Sequence, residues 1–570
     1  MRKTDSSGRI RFISFLIIIF ALILIGRLYF VQVINGEEYR VRADRQYVQS
    51  TYDYFNRGTI YFETKDGEPF LAASLKTGYI VAMNPSLIEN KEETLAKLRE
   101  ISAIDEEDFY RKAEKQNDPY EEIARRVTFE EAEAVNNLKL RGINTYAERW
   151  RYYPSNSLAA HALGFIAYKE NELAGRYGLE RYYEDVLRRN NDRVFVNFFA
   201  EIFSNIQEAF SDEGSLEGDI VTSIEPSVEL FLEKELANIR STWNSDYSGG
   251  IIMNPNNGEI IAMALSPSFD PNNLHEARDL SIFTNHLVES VYEMGSIVKP
   301  LTIAAGIDAG AISPSTTYYD AGTLTLDRKT ISNFDGKGRG TVSMQEVLNQ
   351  SLNTGAAFVV RAMGKGKFAE YMLAYGVGEE TGIDLPNETH GLVDNLKSPR
   401  DIEYATASFG QGIAMTPIET VRALATLGNG GKLVNPHIGK KINYSIGGSK
   451  KISPGVEEQV LKKETSEEIT RMLVKVVDTA LLNGTVKMDR YSIAAKTGTA
   501  QISRGSGGGY YDDKFLHSFF GYFPAYSPQF IVFLYQYDPK DVRYASETLT
   551  HPFMSIAKFL INYYQIPPDR

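Results

Sequence analysis

Cysteine is absent from all 570 residues. Disulfides, zinc–thiolate sites, iron–sulfur clusters and a lipidated cysteine anchor are thereby excluded, and cysteine usage gives no reading of the redox compartment. An excess of positive charge is also missing: 61 Lys and Arg face 74 Asp and Glu, a net charge of −13. A broad nucleic-acid-binding surface needs basic stripes, so nucleic acid is not an expected partner. No internal repeat or long low-complexity tail is apparent. What is present is an ordinary composition, 43% hydrophobic and 24% charged, in a chain long enough for two or more domains.

One apolar run stands out. Arg2, Lys3, Arg9 and Arg11 precede or open it, and Ile10 to Phe30 spans 21 residues, close to the ~20 that cross a bilayer. Arg11 and Arg27 can snorkel outward at its two ends, and Tyr29 and Phe30 suit the far interface. No polar face is left over for a buried soluble helix. The competing reading is a cleaved signal peptide. The run is long and no A-x-A-type cleavage site follows, which favours an uncleaved anchor over 10–34. Residues 1–9 then form a cytoplasmic tail, and everything after residue 35 lies outside.

Residues from about 35 to 220 read as a mixed spacer or interaction module. Lys91 to Lys115 is rich in Glu and Lys, with Leu95, Leu98, Ile101 and Ile104 at helical spacing. Thr128 is a candidate N-cap for a helix over 129–138, and 164–167 reads as a short strand. No acid/base or metal constellation stands out there. From about 220 the texture changes. A helix is predicted over 227–239, and a hairpin joins Gly249–Asn254 to Glu259–Ala264 around Asn-Pro-Asn-Asn-Gly. Helices dominate 301–428. Strands return at 492–502, 518–522 and 529–537, and a last helix covers 552–564. The Gly-rich stretch 505–509 reads as a mobile loop. Strands at both ends of a helical middle predict one antiparallel sheet flanked by helices, an α+β chain of several domains.

The chemistry is carried by three short motifs. Tyr292-Glu-Met-Gly-Ser-Ile-Val-Lys-Pro300 places Ser296 and Lys299 three apart, on one face of a helix that begins there. A lysine whose pKa is lowered can take the proton of a serine nucleophile. Gly295 permits a sharp turn, and the Ser296 N–H joins the unpaired donors of the helix start, able to hold an oxyanion. Pro300 cannot donate to the Ser296 carbonyl, so an irregular first turn is expected. The spacing alone is cheap: Ser555 and Lys558 share it on an ordinary amphipathic helix. The second motif is Ser351-Leu-Asn353, whose hydroxyl and amide would point together in an extended chain, or serve merely as turn residues. The third is Lys496-Thr497-Gly498-Thr499 after an apolar strand. Lys496 supplies charge, Thr497 and Thr499 hydroxyls, and Gly498 room for close approach to a strand edge that can pair with a peptide. Lys76-Thr77-Gly78 repeats the trio without the following Thr. The order S-x-x-K, S-x-N, K-T-G-T is what separates Ser296 from Ser555.

This three-part set resembles that of class B penicillin-binding proteins, monofunctional peptidoglycan D,D-transpeptidases. Further boxes extend the resemblance over nearly the whole chain: Arg57-Gly-Thr-Ile60, Gly178-Leu-Glu180, Thr381-Gly-Ile-Asp-Leu-Pro386, Phe409-Gly-Gln-Gly-Ile413 and Asn429-Gly-Gly431. Two departures stand out. Phe62-Glu-Thr-Lys-Asp-Gly67 replaces a usual D-R-N-G, and 188–214 looks like an insertion. The resemblance implies a penicillin-recognising serine transpeptidase fold over 221–570 and an elongated pedestal, or dimerisation, domain over 35–220. It implies Ser296 as nucleophile toward the penultimate D-Ala carbonyl, Lys299 as base, and Ser351 and Asn353 as proton-relay and substrate-orienting pair. Lys496 is implied as the cation that keeps Lys299 depressed and draws the substrate carboxylate. Thr497 and Thr499 are implied as hydroxyl contacts, with Gly498 between them, and the N–H groups of Ser296 and Thr499 as the oxyanion hole. No metal and no cofactor is implied. Expected partners are peptidoglycan stem peptides, β-lactams, a SEDS-type membrane glycosyltransferase and division proteins. The expected location is the bacterial cytoplasmic membrane, spanned once. Leu516–Tyr522 and Asp538-Pro-Lys540 look more like division-type than elongation-type members, and His517 reads as structural. No C-terminal muropeptide-binding repeat is expected. The alternatives are a D,D-carboxypeptidase or β-lactamase on the same fold, or a non-catalytic β-lactam sensor or division scaffold.

Overall fold

A computed structural model describes residues 55–115, 117–169, 172–189, 217–445, 448–452, 455, 458–505 and 508–570, with Phe20 and Leu24. The stretch read as an anchor over 10–34 lies outside the described residues apart from those two, as does the 188–214 stretch beyond Arg189. Among the described residues no helix is long and apolar enough to cross a membrane.

The chain forms two compact units, and they do not follow chain order. Residues 78–149 belong to one, whereas 57–77 and 150–189 cluster with the C-terminal residues. The first described strands are β1 (Ile60–Glu63) and β2 (Pro69–Met83), antiparallel, with Ile60 opposite Ala73. The smaller unit takes the end of β2, then α1 (Lys91–Arg99), α2 (Glu106–Ala113), β3 (Glu121–Val127), α3 (Phe129–Asn137) and the start of β4 (Ile143–Tyr152). Helix α1 buries Leu95 and Leu98, and Phe109 of α2 joins them with Val135 of α3. Thr128 caps α3 as its position predicted, within a full capping box with Glu131.

In the larger unit β5 (Gly218–Thr222) lies parallel to β1. It leads into α4 (Pro226–Thr242), β6 (Tyr247–Met253) and β7 (Ile260–Ser266). The expected hairpin is present, with Ile251 opposite Met263. Beyond α5 (Lys299–Asp308) the expected helical middle contains four strands the sequence reading passed over: β8 (Thr317–Asp320), β9 (Thr323–Leu326), β10 (Lys329–Ser332) and β11 (Gly340–Ser343). Each is only four residues long, too short to establish a period, and they pair two by two, β8 with β11 and β9 with β10. Helices α6 (Met344–Asn349), α7 (Asn353–Met363) and α8 (Pro417–Ala425) follow, then β12 (Gly439–Tyr444), which pairs with β5, and α9 (Lys463–Lys475). The chain closes with β13 (Ala494–Ser503), β14 (Tyr510–Phe523), β15 (Phe530–Tyr537) and α10 (Thr550–Tyr563).

The central sheet runs β13-β14-β15-β6-β7, antiparallel throughout. Helices cover both its faces, so its central strands β15, β6 and β7 are apolar at successive positions over most of their length rather than alternately. Ile252, Ala264, Phe519 and Val532 face α4 and α10, which bring Leu232, Leu236, Phe553 and Leu560. Their neighbours Ile251, Met263, Phe520 and Phe533 face the other way, into the core shared with Leu301 of α5, Leu424 of α8 and Leu473 of α9. Strand β13 is the sheet's edge. Among the described residues its outer side has no strand partner, and the functional motifs gather along it.

Candidate active site

Ser296 lies in a 3-10 turn, Gly295–Val298, that passes directly into α5. The Lys299 N–H donates to the Ser296 carbonyl three residues back. This accounts for Pro300. A 3-10 bond already satisfies that carbonyl, and Pro300 falls in the first turn of the α-helix, where no N–H is called for. Gly295 adopts φ +64°. Its N–H donates to Gly410 (3.0 Å), and a Cβ at Gly295 would stand 2.7 Å from the Thr499 carbonyl. The Gly295 and Gly410 backbones therefore meet with no room for side chains, which gives the 409–413 box a physical reason.

The Lys299 side chain is fully buried. Its Nζ lies 2.8 Å from Ser296 Oγ, 2.7 Å from the Ser351 carbonyl and 3.0 Å from Ser351 Oγ. A neutral amine offers two N–H groups and one lone pair. As an ammonium Lys299 donates to all three oxygens; as a neutral amine it keeps an N–H for each Ser351 oxygen and turns its lone pair to the Ser296 hydroxyl. Burial, and then the charge of Lys496, hold the Lys299 pKa well below the usual lysine range. Both effects favour the unprotonated form of an amine that stands at hydrogen-bond distance from the serine hydroxyl.

Ser351 and Asn353 are not in an extended strand. Ser351 sits in the turn between α6 and α7 with φ +54°, the left-handed region that a side chain enters only under strain. Asn353 is the first residue of α7, and its Nδ2 donates to the Ser332 carbonyl of β10 (2.8 Å). Ser351 and Asn353 still line one cavity. A strained turn, not strand alternation, brings them there.

On β13, Lys496 is buried with its Nζ donating to the Thr497 carbonyl (2.9 Å), and burial pushes its pKa down to about 7. Thr499 Oγ1 accepts from the Ala545 N–H (3.1 Å) and retains its own proton to donate. Gly498 has a reason other than the expected one. A Cβ there would collide with Ser518 Oγ and stand 2.7 Å from the Met294 carbonyl, which Ser518 already engages at 2.8 Å. The glycine lets the nucleophile's turn, rather than a ligand, press against the strand.

Ser296, Ser351, Asn353, Lys496, Thr497 and Thr499 line a cavity of about 750 Å³; Lys299 and Gly498 stand behind its wall. The set can remove a serine proton, attack a carbonyl and offer charge and hydroxyls to a carboxylate. The sequence reading missed the wall around Phe334 and Arg339. It rests on buried Asp320, which accepts from the Gly322 and Arg339 N–H groups, Asn333 Nδ2 and Thr354 Oγ1. The available signal was Thr-Leu-Thr-Leu followed by Asp327-Arg328, a strand and its turn. His517 is buried outside the lining. Its ring bridges the Arg543 carbonyl (3.0 Å) and Thr548 Oγ1 (2.9 Å), and burial pushes it down to about 4. Its place is structural.

Residues 249–557 match the penicillin binding protein transpeptidase domain, and residues 53–208 the penicillin-binding protein dimerisation domain. The chain is 30% identical over 569 residues to stage V sporulation protein D of Bacillus subtilis strain 168, covering 97% of this chain and 85% of that one. It is 27% identical over 454 residues to peptidoglycan D,D-transpeptidase FtsI of Escherichia coli K12, covering 78% and 73%. Penicillin binding protein 2X of Streptococcus thermophilus shares the fold, with a TM-score of 0.73 at 21% identity over 90% of this chain and 81% of that one.

Proposed function

Because the chain belongs to the class B penicillin-binding proteins, we propose that Ser296 is the nucleophile of a peptidoglycan D,D-transpeptidase that cross-links stem peptides and is acylated by β-lactams. One observation carries this reading: Lys299 Nζ, without a carboxylate partner among the described residues, stands between Ser296 Oγ and Ser351 Oγ. Lys299 takes the Ser296 proton as Oγ attacks the penultimate D-Ala carbonyl. The proton passes by way of Ser351 to the departing D-Ala amine as the C–N bond breaks. An acceptor amine from a neighbouring stem peptide then attacks the acyl-enzyme, and Lys299 removes its excess proton and passes it to Ser296 Oγ as the Oγ–acyl bond breaks. Asn353 orients the peptide. Lys496, Thr497 and Thr499 hold the terminal carboxylate, and the N–H groups of Ser296 and Thr499 hold the oxyanion.

The reading extends to a single-pass protein of the bacterial cytoplasmic membrane, anchored through 10–34, with a pedestal over 35–220 and the transpeptidase domain over 221–570. It acts in septal wall synthesis beside a SEDS-type glycosyltransferase and division proteins. Support for the septal role is the likeness of 516–522 and 538–540 to division-type members. Identity to a sporulation protein across 97% of the chain favours a second role, in wall made during sporulation. Depletion distinguishes them: filaments with blocked septa mark the first, normal growth with defective spores the second.

Incubation with fluorescent penicillin followed by peptide mapping is expected to place a long-lived adduct on Ser296. Steady hydrolysis of the penicillin would instead identify a β-lactamase, and an adduct on another residue would overturn the assignment. Acylation should also depend on pH in a specific way. The base form of Lys299 is needed, so the rate rises as pH climbs through its depressed pKa. Lys496 is charged below its pKa and neutral above, so the pull on the carboxylate fades as pH rises through about 7. A bell-shaped second-order rate constant is expected, and Lys496→Arg should move its descending limb to higher pH. A limb that stays put would remove Lys496 from carboxylate binding.

A further inference from the structure

Glu293 has no part in the chemistry above, yet it lies three residues before Ser296 with its carboxylate turned inward. Oε1 accepts from the Gly412 N–H (3.0 Å) and from the Tyr510 hydroxyl (3.0 Å), while Oε2 is buried without a hydrogen-bond partner. One carboxylate thus ties together the nucleophile's turn, the 409–413 loop and the start of β14. Glu293 is half-buried, and a carboxylate whose buried oxygen has no partner among the described residues calls for an account.

The account lies in what Tyr510 does. It stands opposite Ser503, at the far end of the β13–β14 hairpin, and its ring forms part of the cavity wall. The hairpin's ladder is irregular between Gln501 and Ser503. Sheet pairing is interrupted there and leaves the hairpin end free to twist. The free edge of β13 beyond Thr499 is where a stem peptide must lie once its terminal carboxylate sits at Lys496 and Thr497. The Tyr510–Glu293 bond fixes that edge to the same turn that carries Ser296.

Building on Ser296 as the acylated serine, we propose that Glu293 is a positioning residue: through Tyr510 it holds the hairpin end so that the β13 edge and Ser296 keep one alignment. The bond acts on acylation and leaves the chemistry of Lys299 alone.

Tyr510→Phe removes one O–H and keeps the ring. In the full chain it is expected to lower the second-order rate of acylation by fluorescent penicillin about 3- to 10-fold, the span of one hydrogen bond. Trypsin should cut faster after Arg504, at the hairpin end. Glu293→Gln keeps an oxygen for both donors and should acylate near the wild-type rate. Glu293→Ala should match Tyr510→Phe, and the double variant should be no slower than Glu293→Ala alone. Wild-type acylation and wild-type cleavage in Tyr510→Phe would overturn the proposal, as would losses that multiply in the double variant. An adduct absent from Ser296 in the wild-type protein would overturn the functional reading instead, since the trypsin comparison does not depend on it.

Discussion

Lys299→Met should give a folded protein whose acylation by penicillin is at least about 10³-fold slower than wild type, comparable to Ser296→Ala. The loss follows from geometry. Among the described residues no other base stands at Ser296 Oγ, whose side-chain hydrogen-bond partner is Lys299 Nζ at 2.8 Å. The same substitution should raise the melting temperature by about 2–5 °C. The sign comes from linkage. The folded chain holds Lys299 far below its ordinary pKa, while the unfolded chain releases that restraint. Below the unfolded value, 10.5, the unfolded state therefore binds the extra proton, and stability is lost as pH falls until the folded pKa is passed. Methionine fills the same space with no proton to bind. Lys299→Arg separates the two effects. Its guanidinium is always charged, so it cannot take the proton, and it would stand buried with no carboxylate beside it among the described residues. It should lose activity as Met does and lose stability where Met gains it. A Lys299→Arg variant that retained a tenth of the acylation rate would remove Lys299 from the role of base. Thermal unfolding and stopped-flow labelling of the two variants together read both halves.

The pieces of this site were legible in the sequence, and their assembly was not. Ser296–Lys299, Ser351–Asn353 and Lys496–Thr499 each carry a local pattern with a chemical reason. The pairing strands at both ends were equally open to reading, because Gly249–Met253 and Phe530–Tyr537 are long apolar runs bounded by turns. The four short strands of 317–343 were not, because four residues hold barely two periods and the pairs are fixed by a buried Asp320 rather than by an apolar stripe. The backbone at Ser351 was hidden for a different reason. A left-handed serine costs energy that only surrounding structure can impose, so no local rule points to it. Glu293 was in plain view three residues from the nucleophile, but charge in a sequence reads as exposure, and the burial of its Oε2 is a property of the fold. The two N-terminal boxes were likewise visible singly, at Arg57 and at Glu180, with nothing in the sequence to say that they meet.

They meet in a buried ion cluster, and Glu180→Ala is expected to cost about 3–5 kcal/mol. Glu180 is wholly buried. Its Oε2 takes Arg57 Nε at 2.6 Å, its Oε1 takes Arg151 Nε at 2.5 Å and the Tyr153 hydroxyl at 3.2 Å, and its backbone carbonyl takes Arg57 Nη2 at 2.6 Å. Arg57 Nη2 also reaches Glu184 Oε2 at 2.7 Å, and Arg151 Nη1 holds the Gly58 carbonyl at 2.7 Å. Burial pushes the Glu180 carboxyl up, but the Arg151 and Arg57 charges outweigh it and leave the group below its usual range. Its contribution is therefore present above the ordinary glutamate pKa and lost as pH falls through the depressed value. Removing the carboxylate leaves Arg151, its side chain 1% exposed, without its counter-charge, and leaves the equally buried Arg57 with Glu184 alone. Glu180→Gln preserves the shape and should lose nearly as much, because the penalty is charge without a counter-charge. Leucine at 57, 151 and 180 together removes the three buried charges and leaves Glu184, whose side chain is 26% exposed, to water; it should recover most of the loss, since an apolar replacement of a buried ion cluster is often neutral. None of the three residues lines the cavity. Acylation of Ser296 per folded molecule should then stay at the wild-type rate in every variant while the unfolding midpoint moves. A slower rate at full folding would mean that the cluster aligns the site as well as holding the fold.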